Sequence, residues 1–447
     1  MNEKHMFSNR DLFKLLLPLI VEQLLNSLMG TVDTIMVSNV GSEAISAVSL
    51  VDSVCILVMQ VFNALAAGGV IVCAQYIGKG DIKTANRAAN QLFLTVTVIS
   101  LLLSVGCLLF GGPLLGLIFG SVEEGVMSAA QTYFFYMALS FPFIALFNAS
   151  SSVFRAQKNT RTPMLVSIIS NGINVAANAL FIWGLGLGVA GAALATLLSR
   201  VFCALVTMWY LRKPDNMICV RDYRSIRPDF SLIKRVLAIG IPSGVENGMF
   251  QFGKLAIQST VSTMGTVAIA AQAVASIMEN VNGVAGCGVG IGLMTVVGQC
   301  IGAGRKDEAR YYIKKLTLIA EAVIIFSCIF AFLITRPVTM LGGMEKESAE
   351  LCVYMVGWIT VVKPVSWTLS FIPAYGMRAA GDVKFSMIVS CVTMWLCRVS
   401  LCIYLSRVWA IGPMAVWIGM FADWTVRGLI FTARFYSGRW AEHRVVQ

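Results

Sequence analysis

Twelve stretches of this chain are apolar for about 20 residues or more, and that repetition constrains the fold more than any other feature. They run over residues 12–38, 44–74, 89–112, 126–154, 162–184, 187–211, 235–263, 267–299, 311–335, 349–376, 385–406 and 411–434. About 20 apolar residues in a helix cover the roughly 30 Å hydrocarbon core of a bilayer. Most of the stretches are continuous rather than strictly alternating, which favours helices over the strands of a barrel. Lipid offers the backbone no hydrogen bonds, so a spanning segment must satisfy its own N–H and C=O groups. The predicted fold is an all-α integral membrane protein, with twelve transmembrane helices in two pseudo-symmetric six-helix bundles. Composition excludes a soluble alternative: only 13% of the 447 residues are charged, against about 25% in ordinary soluble domains.

The few charges are unevenly placed. With the amino end inside, the inner loops and tails collect 26 of the 34 Lys and Arg residues, whereas the outer loops hold Arg336, Lys346 and Arg407. This bias predicts a multi-pass protein of the cell (plasma) membrane with both termini cytoplasmic. The net charge of +11 is therefore a topology signal, with contact to membrane lipids second, and no nucleic acid is expected as a partner. Residues 1–14 contain no apolar core followed by a small-residue cleavage pattern, so no signal peptide is expected. The twelve cysteines are scattered without a C-x-x-C pair, and both histidines, His5 and His443, lie in the tails. No metal site, disulfide framework or cofactor is expected.

The two halves of the chain repeat. Pro18-Leu-Ile-Val-Glu22 matches Pro242-Ser-Gly-Val-Glu246, Gly41-Ser-Glu-Ala44 matches Gly265-Thr-Val-Ala268, and Gln75-Tyr-Ile-Gly78-Lys-Gly80 matches Gln299-Cys-Ile-Gly302-Ala-Gly304, all at an offset of 224. Arg155 then faces Arg378 at 223. The expected organisation is an amino-terminal lobe over 1–211, a polar linker over 212–234 and a carboxyl-terminal lobe over 235–447. Six spans per half make the repeat parallel, with an axis along the membrane normal and a site near the midplane. Neither Gly-rich loop matches the phosphate-loop pattern, so any transport work must come from an ion gradient rather than ATP.

Together these residues resemble the multidrug and toxic compound extrusion (MATE) family. The resemblance rests on the Pro-x-x-x-Glu openings, on Val32-Asp33-Thr-Ile-Met-Val37, on the paired Gln-x-x-Gly-x-Gly loops and on Gly188-Val-Ala-Gly-Ala-Ala-Leu-Ala-Thr196, and it covers about residues 11–434. It implies a secondary antiporter, not an enzyme. Such a protein exports small amphipathic, cationic organic compounds in exchange for H⁺ or Na⁺, by alternating access of two lobes. A flippase for a lipid-linked sugar or another amphipathic lipid is the nearest alternative. A monomer is expected.

Seven acids fall within the spans: Glu22, Asp33, Asp52, Glu246, Glu279, Glu321 and Asp423. A charge at the centre of an inserted helix costs about 2.5–3.5 kcal/mol, so each needs a partner, water or a proton. Arg427, one turn from Asp423, gives that acid a structural role, and Glu321 is placed at an interface; Asp52 stays open between capping or bridging helices and a functional role. Glu22, Asn26 and Asp33 lie within about 40° of one another on the first helix. This stripe is either interhelical hydrogen bonding or the lining of an ion site. Asn174 and Asn178 share one face of the fifth helix, and Thr196 is on the sixth. The resemblance implies a cation- or proton-binding role for Asp33, with Asn174, Asn178 and Thr196 as further oxygen ligands. In the family the position of Asn178 is commonly a second aspartate, which this chain lacks. The resemblance also marks Glu246 as ion-coupling. Asn247, Gln251, Lys254 and Gln258 form a polar stripe on the seventh helix and need water or a cavity. With Glu22, Asn26, Glu279 and Lys363, the residues Gln251 and Lys254 are the expected lining of a substrate cavity. The bases Lys254, Lys363 and Arg398 either neutralise Glu246 and Glu279 or select an anionic or zwitterionic substrate.

Overall fold

The computed structural model describes residues 5–120, 122–224, 226–443 and 445, without the side chains of Thr31 and Thr34. The ends of the expected lobes (1–4, 446 and 447) and position 225 of the linker lie outside the described residues. Twelve long helices follow one another: α1 (Asn9–Ser38), α2 (Ser42–Lys79), α3 (Ile82–Phe119), α4 (Glu124–Ala156), α5 (Arg161–Gly184), α6 (Gly188–Leu211), α7 (Phe230–Val261), α8 (Thr266–Gly302), α9 (Lys306–Leu341), α10 (Lys346–Ala380), α11 (Val383–Arg407) and α12 (Met414–Ser437). The all-α expectation holds, and no strand occurs among the described residues.

Eleven of these helices are long and apolar enough to cross a membrane. The exception is α7, which has the length at 32 residues but carries Glu246, Asn247, Gln251, Lys254 and Gln258 in its second half. Those side chains dilute its apolar character below that of its neighbours. Helices with large apolar side chains turned outward, such as Leu102, Leu109, Phe326, Leu333 and Leu429, fit a lipid solvent.

The helices form two compact units. One comprises Leu25–Gly244, and the other joins Met1–Leu24 to Val245–Gln447. The unit boundaries therefore fall inside α1 and α7. Close glycine contacts account for this. In the second unit, a Cβ on Gly288 of α8 would stand 2.9 Å from the Ile20 Cα on α1. In the first, a Cβ on Gly68 of α2 would stand 2.6 Å from the Val236 carbonyl oxygen on α7. Only glycine lets these backbones approach so closely.

The repeated Gln-x-x-Gly-x-Gly segments end α2 and α8. Gly80 and Gly304 both take positive φ, 82° and 75°, which reverses the chain at low steric cost. Asp81 then caps α3 by accepting from the Thr84 N–H at 3.0 Å. Hydrogen bonds from Thr84 and the nearby Lys79 and Arg87 charges hold the Asp81 carboxyl below its ordinary value. The polar stretch after α6 is docked rather than loose. Gln91 donates to the Arg227 carbonyl and accepts from the Asp229 N–H, each at 2.9 Å, and Arg87 pairs with Asp229 at 2.6 Å.

Gly288→Val and Gly68→Val should each lower stability by about 1–3 kcal/mol through overpacking. The fall would be read as a lower Tm of the detergent-solubilised protein. A variant with unchanged Tm would contradict the backbone contacts described.

Candidate functional site

In the unit Leu25–Gly244, a cavity of about 140 Å³ is lined by Gly30 and Asp33 of α1, Asp52 of α2, Tyr133 of α4, Asn178 of α5, and Thr196 and Arg200 of α6. Local sequence prepares each wall. Asn174 and Asn178 are one helical turn apart and both are buried. The Asn178 amide donates to Asn174 Oδ1 at 3.1 Å and to Asp33 Oδ1 at 2.8 Å. Directly after Asn178, the helix widens into π turns over Ala179–Gly184, a local defect that recurs at functional sites. Gly191 of α6 lets the two helices close on that segment, since a Cβ there would lie 2.9 Å from the Phe181 carbonyl carbon.

Thr196 and Arg200 are also one turn apart, so both face the cavity. Arg200 donates to Ser140 Oγ at 2.7 Å and lies within charge–charge reach of both Asp33 and Asp52. Tyr133 Oη donates to Asp52 Oδ1 at 3.4 Å. The structure brings Asp33, Asn178 and Thr196 to the cavity wall, with Asn174 hydrogen-bonded behind Asn178. It adds three residues the sequence reading left unassigned or open: Asp52, Tyr133 and Arg200. The Thr196–Arg200 spacing carried a signal for the last of these, and Asp52 was visible as an acid within a span; Tyr133 had no signal. One detail differs from the expected ligand set. Asn178 turns its amide nitrogen, not its oxygen, toward Asp33, because the carboxylate is the stronger acceptor.

Asn26 is exposed and accepts from Ser167 Oγ at 3.3 Å, outside the lining just described. Glu22 is buried, but it belongs with the other unit. The predicted stripe on α1 is therefore divided between the two units.

The second unit handles its charges differently. Glu246 pairs with Arg378 at 2.5 Å, and Arg378 donates in turn to Ser386 Oγ at 3.1 Å. Lys363 is fully enclosed. Its ammonium donates to Glu279 Oε1 at 2.5 Å, to the Glu279 carbonyl at 2.7 Å and to Asn282 Oδ1 at 2.5 Å, with the Trp367 ring centre 5.3 Å away. Asp423, also fully buried, accepts from Arg427 at 2.6 Å and from Arg398 at 2.7 Å. Gln251 is half-buried on α7, and Lys254, one turn beyond Phe250, is exposed.

These pairings correct one expectation. Of the three bases offered as partners for Glu246 and Glu279, only Lys363 pairs directly with either. Arg398 serves Asp423, and the partner of Glu246 is Arg378. The predicted Asp423–Arg427 pair is present. Arg378 had been visible as the counterpart of Arg155 in the repeat, but its partner lies 132 residues away, beyond any local pattern.

Comparison with known proteins agrees with the fold and its repeat. The MatE family model matches this chain twice, over residues 18–180 and 242–404, copies displaced by the repeat offset of 224. A probable multidrug resistance protein NorM of Thermotoga maritima is 26% identical, over 98% of this chain and 94% of its own length. The uncharacterized transporter YisQ of Bacillus subtilis is 24% identical, over 97% and 95%. A crystal structure of MATE in complex with MaD3S matches the fold with a TM-score of 0.89 at 20% identity, covering 96% of each chain.

Removing Asp423 would strand two buried guanidiniums. Asp423→Asn should cost about 3–5 kcal/mol, visible as a large fall in Tm or in the yield of folded protein. A Tm within a degree of the parent would show that the pairings carry no structural weight.

Proposed function

This chain belongs to the MatE family of transporters, and on that premise we propose that it is a secondary active antiporter. It exports small amphipathic organic compounds carrying a cationic group, in exchange for H⁺ or Na⁺. It acts as a monomer in the cell membrane, with both termini cytoplasmic and no cofactor beyond the coupling ion. The cargo leaves chemically unchanged. Two lobes alternate access to a site near the midplane.

The observation that carries the proposal is the polar cavity at Asp33. Two carboxylates, Asp33 and Asp52, face it with one guanidinium, Arg200, so the walls hold one negative charge more than positive. One hard monovalent cation, or one proton, balances that charge. Thr196 and the Tyr133 oxygen complete a set of oxygen donors suited to such an ion. Lipid around the bundle makes an unbalanced carboxylate costly, which makes ion binding and protein conformation mutually dependent. Coupling is therefore assigned to the amino-terminal cavity. Glu246, matched by Arg378 at 2.5 Å, holds the other unit together while the ion site fills and empties.

The test is efflux of a cationic dye from proteoliposomes under H⁺ and Na⁺ gradients imposed separately. One of the two gradients should drive transport. Asp33→Asn should abolish that dependence, and Asp52→Asn should weaken ion affinity by about tenfold, equivalent to about 1.4 kcal/mol. Transport indifferent to both gradients would refute antiport.

A further inference from the structure

In the unit containing Val245–Gln447, two bases on one face of α9 stand without an ion-pair partner. Arg310 and Lys314 are one turn apart and exposed, and neither makes a hydrogen bond or an ion pair among the described residues. Neighbouring arginines do have partners: Arg305 pairs with Glu308 at 2.7 Å, and Arg434 with Asp382 at 2.8 Å. Glu308 also accepts from the Met6 N–H at 2.9 Å. Asp307 and Glu442, the other acids close in the chain, form no ion pair among the described residues. Glu321 lies two turns deeper on the same face, about 10 Å along the axis and out of reach of Lys314. Like charges one turn apart repel, so this pair favours an anion from outside the chain.

Both bases lean over one aromatic platform. The Phe435 ring centre of α12 is 6.0 Å from the Arg310 guanidinium carbon and 5.9 Å from the Lys314 ammonium, which is 5.4 Å from the Tyr436 ring centre. The platform is fixed from behind. Buried Trp440 stacks on Phe435 with ring centres 5.8 Å apart, and its indole N–H donates to the Phe435 carbonyl at 3.1 Å. Gly438, which ends α12 at φ 74°, keeps room for the guanidinium, since a Cβ there would lie 3.1 Å from it.

Helix length places this pair at a definite depth. With 36 residues, α9 is about 54 Å long and overshoots the roughly 30 Å hydrocarbon core. The stretch from Leu316 to Thr335, about 20 residues, spans that core and carries Glu321 as its only charge. Lys314 therefore stands at the edge of the hydrocarbon, where Tyr436 in the last turn of α12 also fits an interfacial aromatic. Leu318, Ile325 and Ile329 are exposed and continue the Arg310–Lys314 face within about 100°. A basic pair at headgroup depth, with an apolar stripe below it on the same face, complements an anion that carries acyl chains.

We propose that Arg310 and Lys314 bind the phosphate of an anionic phospholipid, whose acyl chains lie along Leu318, Ile325 and Ile329. The site needs only a membrane-embedded chain and stands independently of the exporter reading.

The test titrates the full-length protein in non-ionic detergent with dioleoyl phosphatidylglycerol or dioleoyl phosphatidylcholine and reads binding by native mass spectrometry. The two lipids share chains and a phosphate and differ in net charge. The first phosphatidylglycerol should bind about tenfold more tightly than the first phosphatidylcholine. Arg310→Gln combined with Lys314→Gln should abolish that preference, whereas Arg310→Lys combined with Lys314→Arg should keep it. Lys83→Gln combined with Lys384→Gln removes as many exposed charges elsewhere and should keep it too. An unchanged Tm verifies that each variant is folded. No preference in the parent, or one that survives the Arg310→Gln and Lys314→Gln pair, would overturn the site. Equal loss in the Lys83→Gln and Lys384→Gln pair would overturn it as well, by showing attraction to net charge alone. Displacement of the lipid by soluble glycerol 3-phosphate would overturn the lipid as the ligand.

Discussion

Charge inside an apolar bundle has to be matched locally, and this constraint organises the interior of the molecule. Solvent screening is absent there, so a carboxylate either meets a cation, meets an exchangeable ion or loses its charge. Asp423 meets two guanidiniums, Glu279 meets an ammonium, and Glu246 meets Arg378. The Glu279 and Glu246 pairs join helices that the chain visits far apart, whereas Asp423 is met by Arg427 one turn away on α12 and by Arg398 on the preceding helix, α11. The ion pairs thus act as fixed points around which apolar surfaces pack.

The two halves share an architecture but not a polarity. At the repeat offset, Asp33 corresponds to Ile257, which is buried with Val261, Met394, Val399 and Cys402 in an apolar cluster. A polar cavity wall in the first half corresponds to apolar core in the second. The fifth helix of each half retains π turns, Ala179–Gly184 in α5 and Met394–Ser400 in α11, and a glycine of the following helix packs against each. In α5 this defect adjoins Asn178 and an acidic cavity; in α11 it contains Arg398 and a basic cluster. The same backbone device presents opposite charges.

Much of the site was legible where chemistry repeats along one helix. Asn174 with Asn178 and Asp423 with Arg427 follow from 3.6 residues per turn. The importance of Asp33 followed from an acid placed within an apolar run. The partners across helices were not legible in the same way. Asp52 approaches the Asp33 cavity through the packing of α2 on α4 and α6, and Arg398 reaches Asp423 through the close approach of Gly419 to its backbone. No spacing in the chain encodes those meetings. The low apolarity of α7 is the reverse case: its polar stripe was plain in sequence, and it sets α7 apart from the eleven more apolar helices.

The chain by itself determined the solvent, the secondary structure and the repeat. Unmatched backbone groups are so costly in lipid that twelve long apolar runs leave helices as the solution, and composition alone carries that constraint. Tertiary structure decided which charges cancel. Pairing depends on contacts of a few ångströms between different helices, and which acid meets which cation emerges only when those contacts are made. Those contacts gather Asp33, Asp52 and Arg200 at one cavity and set Asp423 between Arg398 and Arg427.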